Sequence, residues 1–235
     1  MRRLAIFVEG YTELLFVDRL IREIAEKKQL AIQHRKIRGG GRDGKVAKRY
    51  VELQVPTEIN GISHYVLIVD CGGEQLVAQR VREEHASLSD NGYEKIIGIR
   101  DVFPNFTKTD VPLLRRAMQY AIKTKLAPVQ FILSIMEIEA WFLSEHMHFP
   151  KIDPAITAAA IHGALGFNPM ADDMSDRPAP ADDMIAAYQL GGKTYTKGSA
   201  DGTIHALDYD HVYMGLRDRI PDLNDLLTSI DTFLA

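Results

Sequence analysis

Residues 4–8 form an unbroken apolar run, Leu-Ala-Ile-Phe-Val, between Arg3 and Glu9. A run of that length without polar alternation predicts a strand buried on both faces, as in a parallel sheet. Gly10 then turns the chain, and Thr12 is placed to cap a helix reaching about Lys28, in which Leu15, Phe16, Leu20, Ile21 and Ile24 recur at helical spacing. The alternation continues with a strand at 31–37, a glycine-rich loop at 39–44, a helix at about 45–54 and a strand at 65–69 ending at Asp70. A charged helix at 74–87, a strand at 96–99, a helix at about 112–125, a strand at 129–135 and a helix at 137–145 follow. This succession of strands and helices predicts an α/β fold with a mostly parallel central sheet flanked by helices.

Beyond residue 146 the pattern changes. Pro150, Pro154, Pro169, Pro178 and Pro180 punctuate a stretch that holds the alanine-rich segment 155–164 and two Asp-Asp pairs. It predicts a helical appendage with an exposed loop around 170–183, closed by helices at 205–217 and 223–233. The expected division is therefore an α/β domain at 1–145 and a mainly helical C-terminal extension at 146–235.

Composition narrows the classes. The 235 residues are 46% apolar and 26% charged, proportions of an ordinary globular chain that exclude a collagen, a coiled-coil rod and wholesale disorder. A net charge of −4 supplies no global attraction for polyanions, so nucleic acid would have to meet a local basic patch. The single Cys71 permits neither an internal disulfide nor a cysteine zinc site, which fits a reducing cytoplasm. The apolar run after Arg2 and Arg3 is too short for a signal-peptide core, and no segment has the length and apolarity of a bilayer span, so no membrane association is expected. No His-Glu-x-x-His zinc pattern and no Gly-x-Ser-x-Gly elbow occurs. His146 and His148 are expected at the surface, and Trp141 with Phe142 in the core.

Ligand sites in open parallel sheets gather at the carboxyl ends of the strands. Three predicted strands end in an acid: Glu9, Asp70 and Asp101. Carboxylate oxygens are the ligands that Mg2+ and Mn2+ prefer, and carboxylates clustered there would hold such an ion against a phosphate; singly, each would only cap a helix or make a turn. Glu13, one helical turn past Glu9, either points to the same pocket or favours the positive end of the first helix. Glu137 and Glu139 share a face if their segment is extended and diverge if it is helical.

The densest basic region is Arg38-Gly-Gly-Gly-Arg42-Asp-Gly-Lys45, with Arg35, Lys36, Lys48 and Arg49 nearby. Arg38, Arg42 and Lys45 are candidates for phosphate contacts, although the loop lacks the trailing Lys-Ser/Thr of a P-loop and also reads as a plain connector.

Val8-Glu9-Gly10-Tyr11-Thr12-Glu13, then Asp101-Val102-Phe103-Pro104, then Glu137-Ile138-Glu139-Ala140-Trp141 follow one another in an order that resembles the Toprim fold. The fold is shared by topoisomerases, primases and nucleases of the overcoming-lysogenization-defect type, and the nearer resemblance is to small bacterial Toprim-like proteins. It covers roughly residues 1–145. The resemblance implies a catalytic set of Glu9, Asp70 and Asp101, with Glu9 as general acid/base or metal ligand, and Glu13 and Glu137 as further candidate ligands for Mg2+ or Mn2+. It implies that Lys193 or Lys197 reaches back over the acids to neutralise a phosphate, and that a partner ATPase in phage defence is conceivable. One departure stands out: where Toprim domains carry Asp-x-Asp, this chain has Asp70-Cys71-Gly72 and keeps only the first acid. The expected function is a metal-dependent nuclease or other phosphoryl-transfer enzyme acting on nucleic acid. The alternative is a non-catalytic Toprim-like module, binding nucleotide or protein, with an incomplete metal site. The oligomeric state is left open.

Overall fold

The computed structural model describes residues 1–40, 46–58 and 60–235. They divide into two compact units: unit 1 gathers Met1–Arg100, Pro112–Ile132 and Ser229–Ala235, and unit 2 gathers Asp101–Val111 and Leu133–Thr228. Along the chain lie β1 (Arg2–Val8), α1 (Tyr11–Ala25), β2 (Leu30–Arg38), β3 (Arg49–Gln54), β4 (His64–Asp70), α2 (Val77–Asp90), β5 (Lys95–Asp101), α3 (Val111–Gln119), β6 (Val129–Ser134) and α4 (Glu139–Ser144). These are followed by α5 (Phe149–Ile152), α6 (Ala158–Leu165), α7 (Pro180–Gln189), α8 (Asp201–Ala206) and α9 (Pro221–Leu234). The class is α/β, and no helix among the described residues is long and apolar enough to cross a membrane.

The sheet has the strand order β3-β2-β4-β1-β5-β6. β1 is parallel to both neighbours, with Ile6 opposite Ile68 of β4 and Ile97 of β5, so Leu4 to Val8 are all but completely buried. That is why this strand is apolar without alternation: it meets protein on both faces. α1 turns Leu14, Phe16, Val17, Leu20 and Ile21 inward. Its cap is Gly10, whose N–H is accepted by the Glu13 carboxylate at 2.9 Å, while Thr12, expected at the cap, lies buried inside the helix. The Glu13 side chain thus takes the helix-end role.

Gly98 in β5 has a packing reason. A Cβ there would stand 2.6 and 2.7 Å from ring atoms of Phe131 and 3.2 Å from Val77, so the missing side chain makes room for the Phe131 ring.

The helix expected at 45–54 is corrected: Arg49–Gln54 is a strand, antiparallel to β2 from Arg38 opposite Arg49 to His34 opposite Gln54. Its residues are exposed save for half-buried Val51, so it carries no buried apolar face for periodicity to reveal. It is held by the ladder to β2 and by Glu52, whose carboxylate accepts from Arg35 at 2.7 Å and Gln33 at 2.6 Å.

Unit 2 is built on buried Trp141, Phe142, Phe149, Ile161, Met184 and Leu216, in keeping with the core role expected of Trp141 and Phe142. The helix expected at 205–217 is two pieces, α8 and a π-helical turn at His211–Gly215. The loop expected at 170–183 folds a 3-10 turn at Met174–Asp176 that buries Met174, and α7 begins at Pro180. His148 is not at the surface but fully buried. Its Nδ1 meets the backbone carbonyl and, at 3.1 Å, the carboxylate of Glu145, and its ring lies 4.1 Å from that of Phe149. The 3-10 turn at His146–His148 runs directly into α5 and turns this ring inward, a reversal that residue type does not announce.

Candidate metal centre

Among the described residues, the acids that the structure brings to ligand distance belong to unit 2. Asp101 is the last residue of β5. Val102 N–H then donates to the Ser134 carbonyl at 3.1 Å and Phe103 N–H to the Met136 carbonyl at 2.7 Å, which fastens this segment beside the end of β6. Met136, at φ 67, sits in the left-handed region and turns the chain between β6 and α4. The turn delivers Glu137 and, as the first residue of α4, Glu139 to Asp101.

One oxygen from each of Asp101, Glu137 and Glu139 lies within 4.8 Å of the other two, and all three side chains are buried. Each carboxylate is oriented by the surrounding chain. Asp101 Oδ1 accepts from Ile138 N–H at 3.0 Å, Glu137 Oε2 from Ala181 N–H at 2.9 Å, and Glu139 Oε1 from the Tyr195 hydroxyl at 2.7 Å. Those bonds leave the opposite oxygens facing one point. Lys197 Nζ occupies it, 3.0 Å from Asp101 Oδ2, 3.0 Å from Glu137 Oε1 and 3.5 Å from Glu139 Oε2. Glu139 Oε2 is buried and accepts no hydrogen bond.

Burial pushes the Glu139 carboxyl above its ordinary value of 4.5, against the pull of the Lys197 ammonium and the Tyr195 hydroxyl toward the anion. Burial also works against the Lys197 ammonium, but Asp101, Glu139 and Glu137 outweigh it and hold the lysine charged far above its usual range. Three carboxylates against one ammonium leave a formal −2 in a buried place when all are ionised, an excess of negative charge that favours a cation of higher charge than the ammonium. The donor set suits such an ion: hard oxygens, a short span, and one buried oxygen lacking a hydrogen-bond donor. Lys197 itself is 37% exposed, so the centre communicates with solvent along this side chain.

Of the ligands expected from sequence, Asp101 and Glu137 are brought together, joined by Glu139. Glu9 and Asp70 belong to unit 1 and are not among the three. Glu9 follows β1 and gives its backbone carbonyl to Gly73 N–H at 2.8 Å. Asp70, opposite Val8 in the β1–β4 register, is fully buried and accepts from Lys36 Nζ at 2.6 Å and Gly72 N–H at 2.8 Å. Of the two late lysines, Lys197 reaches the acids, whereas Lys193 is about half exposed and stands 3.6 Å from Asp153.

In the basic region, Arg42 and Lys45 lie outside the described residues. Arg38 is exposed at the end of β2. Around it, Arg35 pairs with Glu52, Lys36 with Asp70, and Lys48 with both Glu83 and Glu84, so much of the positive charge counted in the sequence is already neutralised.

Tyr195 lies 56 residues from Glu139, and Lys197 lies 60 from Glu137 and 96 from Asp101, so the local signals for this site were the acid ending β5 and the Glu-x-Glu at 137–139. No family model, curated protein or solved structure matches the chain.

Proposed function

We propose that the protein is a divalent-cation-dependent phosphodiesterase acting on nucleic acid, with Asp101, Glu137 and Glu139 as the ligands of Mg2+ or Mn2+. The observation that carries this reading is the convergence of three buried carboxylates, one with an oxygen that accepts no hydrogen bond. A bound divalent ion would polarise a phosphate and lower the pKa of a coordinated water. The chain's own residues do the rest. Ile138 N–H, Ala181 N–H and the Tyr195 hydroxyl fix the three carboxylates so that little reorganisation is needed when a cation arrives. Lys197, partly exposed, would offer its ammonium to a phosphate oxygen. The Toprim resemblance agrees with this chemistry, though the ligand set shifts from Glu9 and Asp70 toward Glu137 and Glu139.

The test is cleavage of plasmid, linear and single-stranded DNA and of RNA by the full chain, with Mg2+ or Mn2+ and with chelator. Metal-dependent cleavage lost in Glu139→Gln, with thermal stability retained, supports the proposal. A second reading is favoured by the seat of Lys197, which closes the acids into a compact ion cluster: a non-catalytic module in which the cluster only holds unit 2 together. Absence of cleavage and of metal binding, with a large loss of stability in Lys197→Gln, would select that reading.

A further inference from the structure

We propose that Lys197 is an intramolecular stand-in for the divalent cation, so that the metal enters the centre only by displacing the ammonium. This inference rests on the metal-centre reading above and assigns its regulation.

Lys197 Nζ is within 3.0 to 3.5 Å of one oxygen on each of the three carboxylates, and the acids offer ligand oxygens no more than 4.8 Å apart. An ion bonded to all three, at about 2.0–2.6 Å per bond, lies inside the triangle of oxygens. The present position of Nζ is directly against that place. Two cations do not share it: the ammonium donates hydrogens to Asp101 Oδ2 and Glu137 Oε1, two of the oxygens a metal needs, stands 3.5 Å from the third, and unlike a water or a phosphate offers the metal no lone pair. Occupation is therefore exclusive.

The loop that carries Lys197 suits a displaceable side chain. Gly192 and Gly198 bracket it at φ 65 and 84, and the lysine has a route to solvent through its exposed third. Asp101, Glu137 and Glu139 remain fixed by bonds that do not involve Lys197. With the ammonium seated, the acids are partly neutralised and stay folded without metal. With the metal seated, the ammonium is released beside the ion with its anionic partners taken. A phosphate that reaches the metal then meets a cation in want of an anion, so metal and phosphate each strengthen the binding of the other. Such reciprocity is required by linkage whenever one ligand frees the partner of the second.

Binding of Mn2+ to the full chain by calorimetry tests this directly, since it needs no turnover. Lys197→Gln should bind Mn2+ about tenfold more tightly than the parent, because the competitor is gone and the local charge is one unit more negative. Lys108→Gln removes an exposed ammonium paired with Asp173 and Asp176, and should leave the affinity unchanged, which separates competition from bulk charge. Equal or weaker binding by Lys197→Gln overturns the stand-in role while leaving the metal centre in place. Absence of any Mn2+ binding abolished by Asp101→Asn overturns the metal centre and the stand-in together. Should Lys197→Gln fail to fold, acetylation of the parent protein by a succinimidyl ester, followed by mass spectrometry, decides. Saturating Mn2+ should raise the modification rate of Lys197 several-fold and leave that of Lys193 unchanged, and an unchanged Lys197 rate refutes the proposal.

Discussion

Removing one oxygen atom, by Tyr195→Phe, isolates what the protein spends on holding Glu139 ready. The hydroxyl donates to Glu139 Oε1 at 2.7 Å between two buried residues, and the other oxygen, Oε2, accepts no hydrogen bond. Phenylalanine fits the same space, so packing is retained and the change falls on the carboxylate. A hydrogen bond to a charged acceptor contributes about 1.5–3 kcal/mol net, and little water can replace this one, so a loss of stability in that range is expected at pH 7.5. The size of the loss must depend on pH. Burial already raises the Glu139 carboxyl above 4.5, and the hydroxyl is one of the groups opposing that rise, so the substitution raises it further. A carboxyl with a raised folded pKa binds its proton more tightly folded than unfolded. It therefore weakens the fold above its folded pKa, and this penalty fades as pH falls through that value. The difference between parent and variant should accordingly be greatest at neutral pH and shrink toward pH 4. Urea unfolding followed by fluorescence reads it locally, because the single tryptophan, Trp141, is buried in α4 two residues from Glu139. A stability difference that stays constant from pH 7.5 to pH 4 would refute the reasoning, since the hydroxyl would then not be serving the charged carboxylate.

Two further outcomes concern unit 1. Gly98→Ala should destabilise it by about 1–3 kcal/mol, the usual cost of overpacking, because the new methyl would stand 2.6 Å from the Phe131 ring; pairing it with Phe131→Leu should recover part of the loss in urea unfolding, and full stability of the single variant would disprove the contact. Burial opposes ionisation of Asp18, but hydrogen bonds from His34 at 3.0 Å and Arg22 at 2.9 Å outweigh it and hold the carboxyl below 3.8. That stabilisation is present above the unfolded pKa and is lost as pH falls through the folded one, so Asp18→Asn should cost about 1 kcal/mol at pH 7 and progressively less as the solution is acidified below pH 3.8, and a cost that does not shrink in acid would exclude the ionic explanation.

The strands that pack on both faces were legible because burial forces an apolar run: β1, β4, β5 and β6 lie where the runs at 4–8, 65–69, 96–99 and 129–135 pointed. β3 was not, since an exposed edge strand satisfies its backbone through β2 and leaves no apolar stripe to read. The site divides along the same line. Asp101 was visible as an acid ending a buried strand, but its partners depend on the Met136 turn and on Lys197, 96 residues further along the chain. Whether Glu137 and Glu139 faced together could not be read from spacing, because Glu137 precedes α4 and Glu139 begins it, and a spacing rule applies within one element only. At the basic region a charge count could not show that Lys36, Lys48 and Arg35 pair with acids distant in sequence.

The interleaving of the two units bears on how the chain comes to be folded as it is made. Unit 1 draws on three separated stretches, the last being Ser229–Ala235, and that stretch is tied in by Ser229 to Lys95 at 2.8 Å and to Gln130 at 2.8 Å, and by the Thr232 carbonyl to Arg2 at 3.3 Å. On a ribosome β1, β2 and β4 emerge first and can pair at once, yet the residues that fasten Arg2, Lys95 and Gln130 emerge after all of unit 2. Unit 1 therefore begins folding first and is completed last, with the end of α9 acting as its clasp.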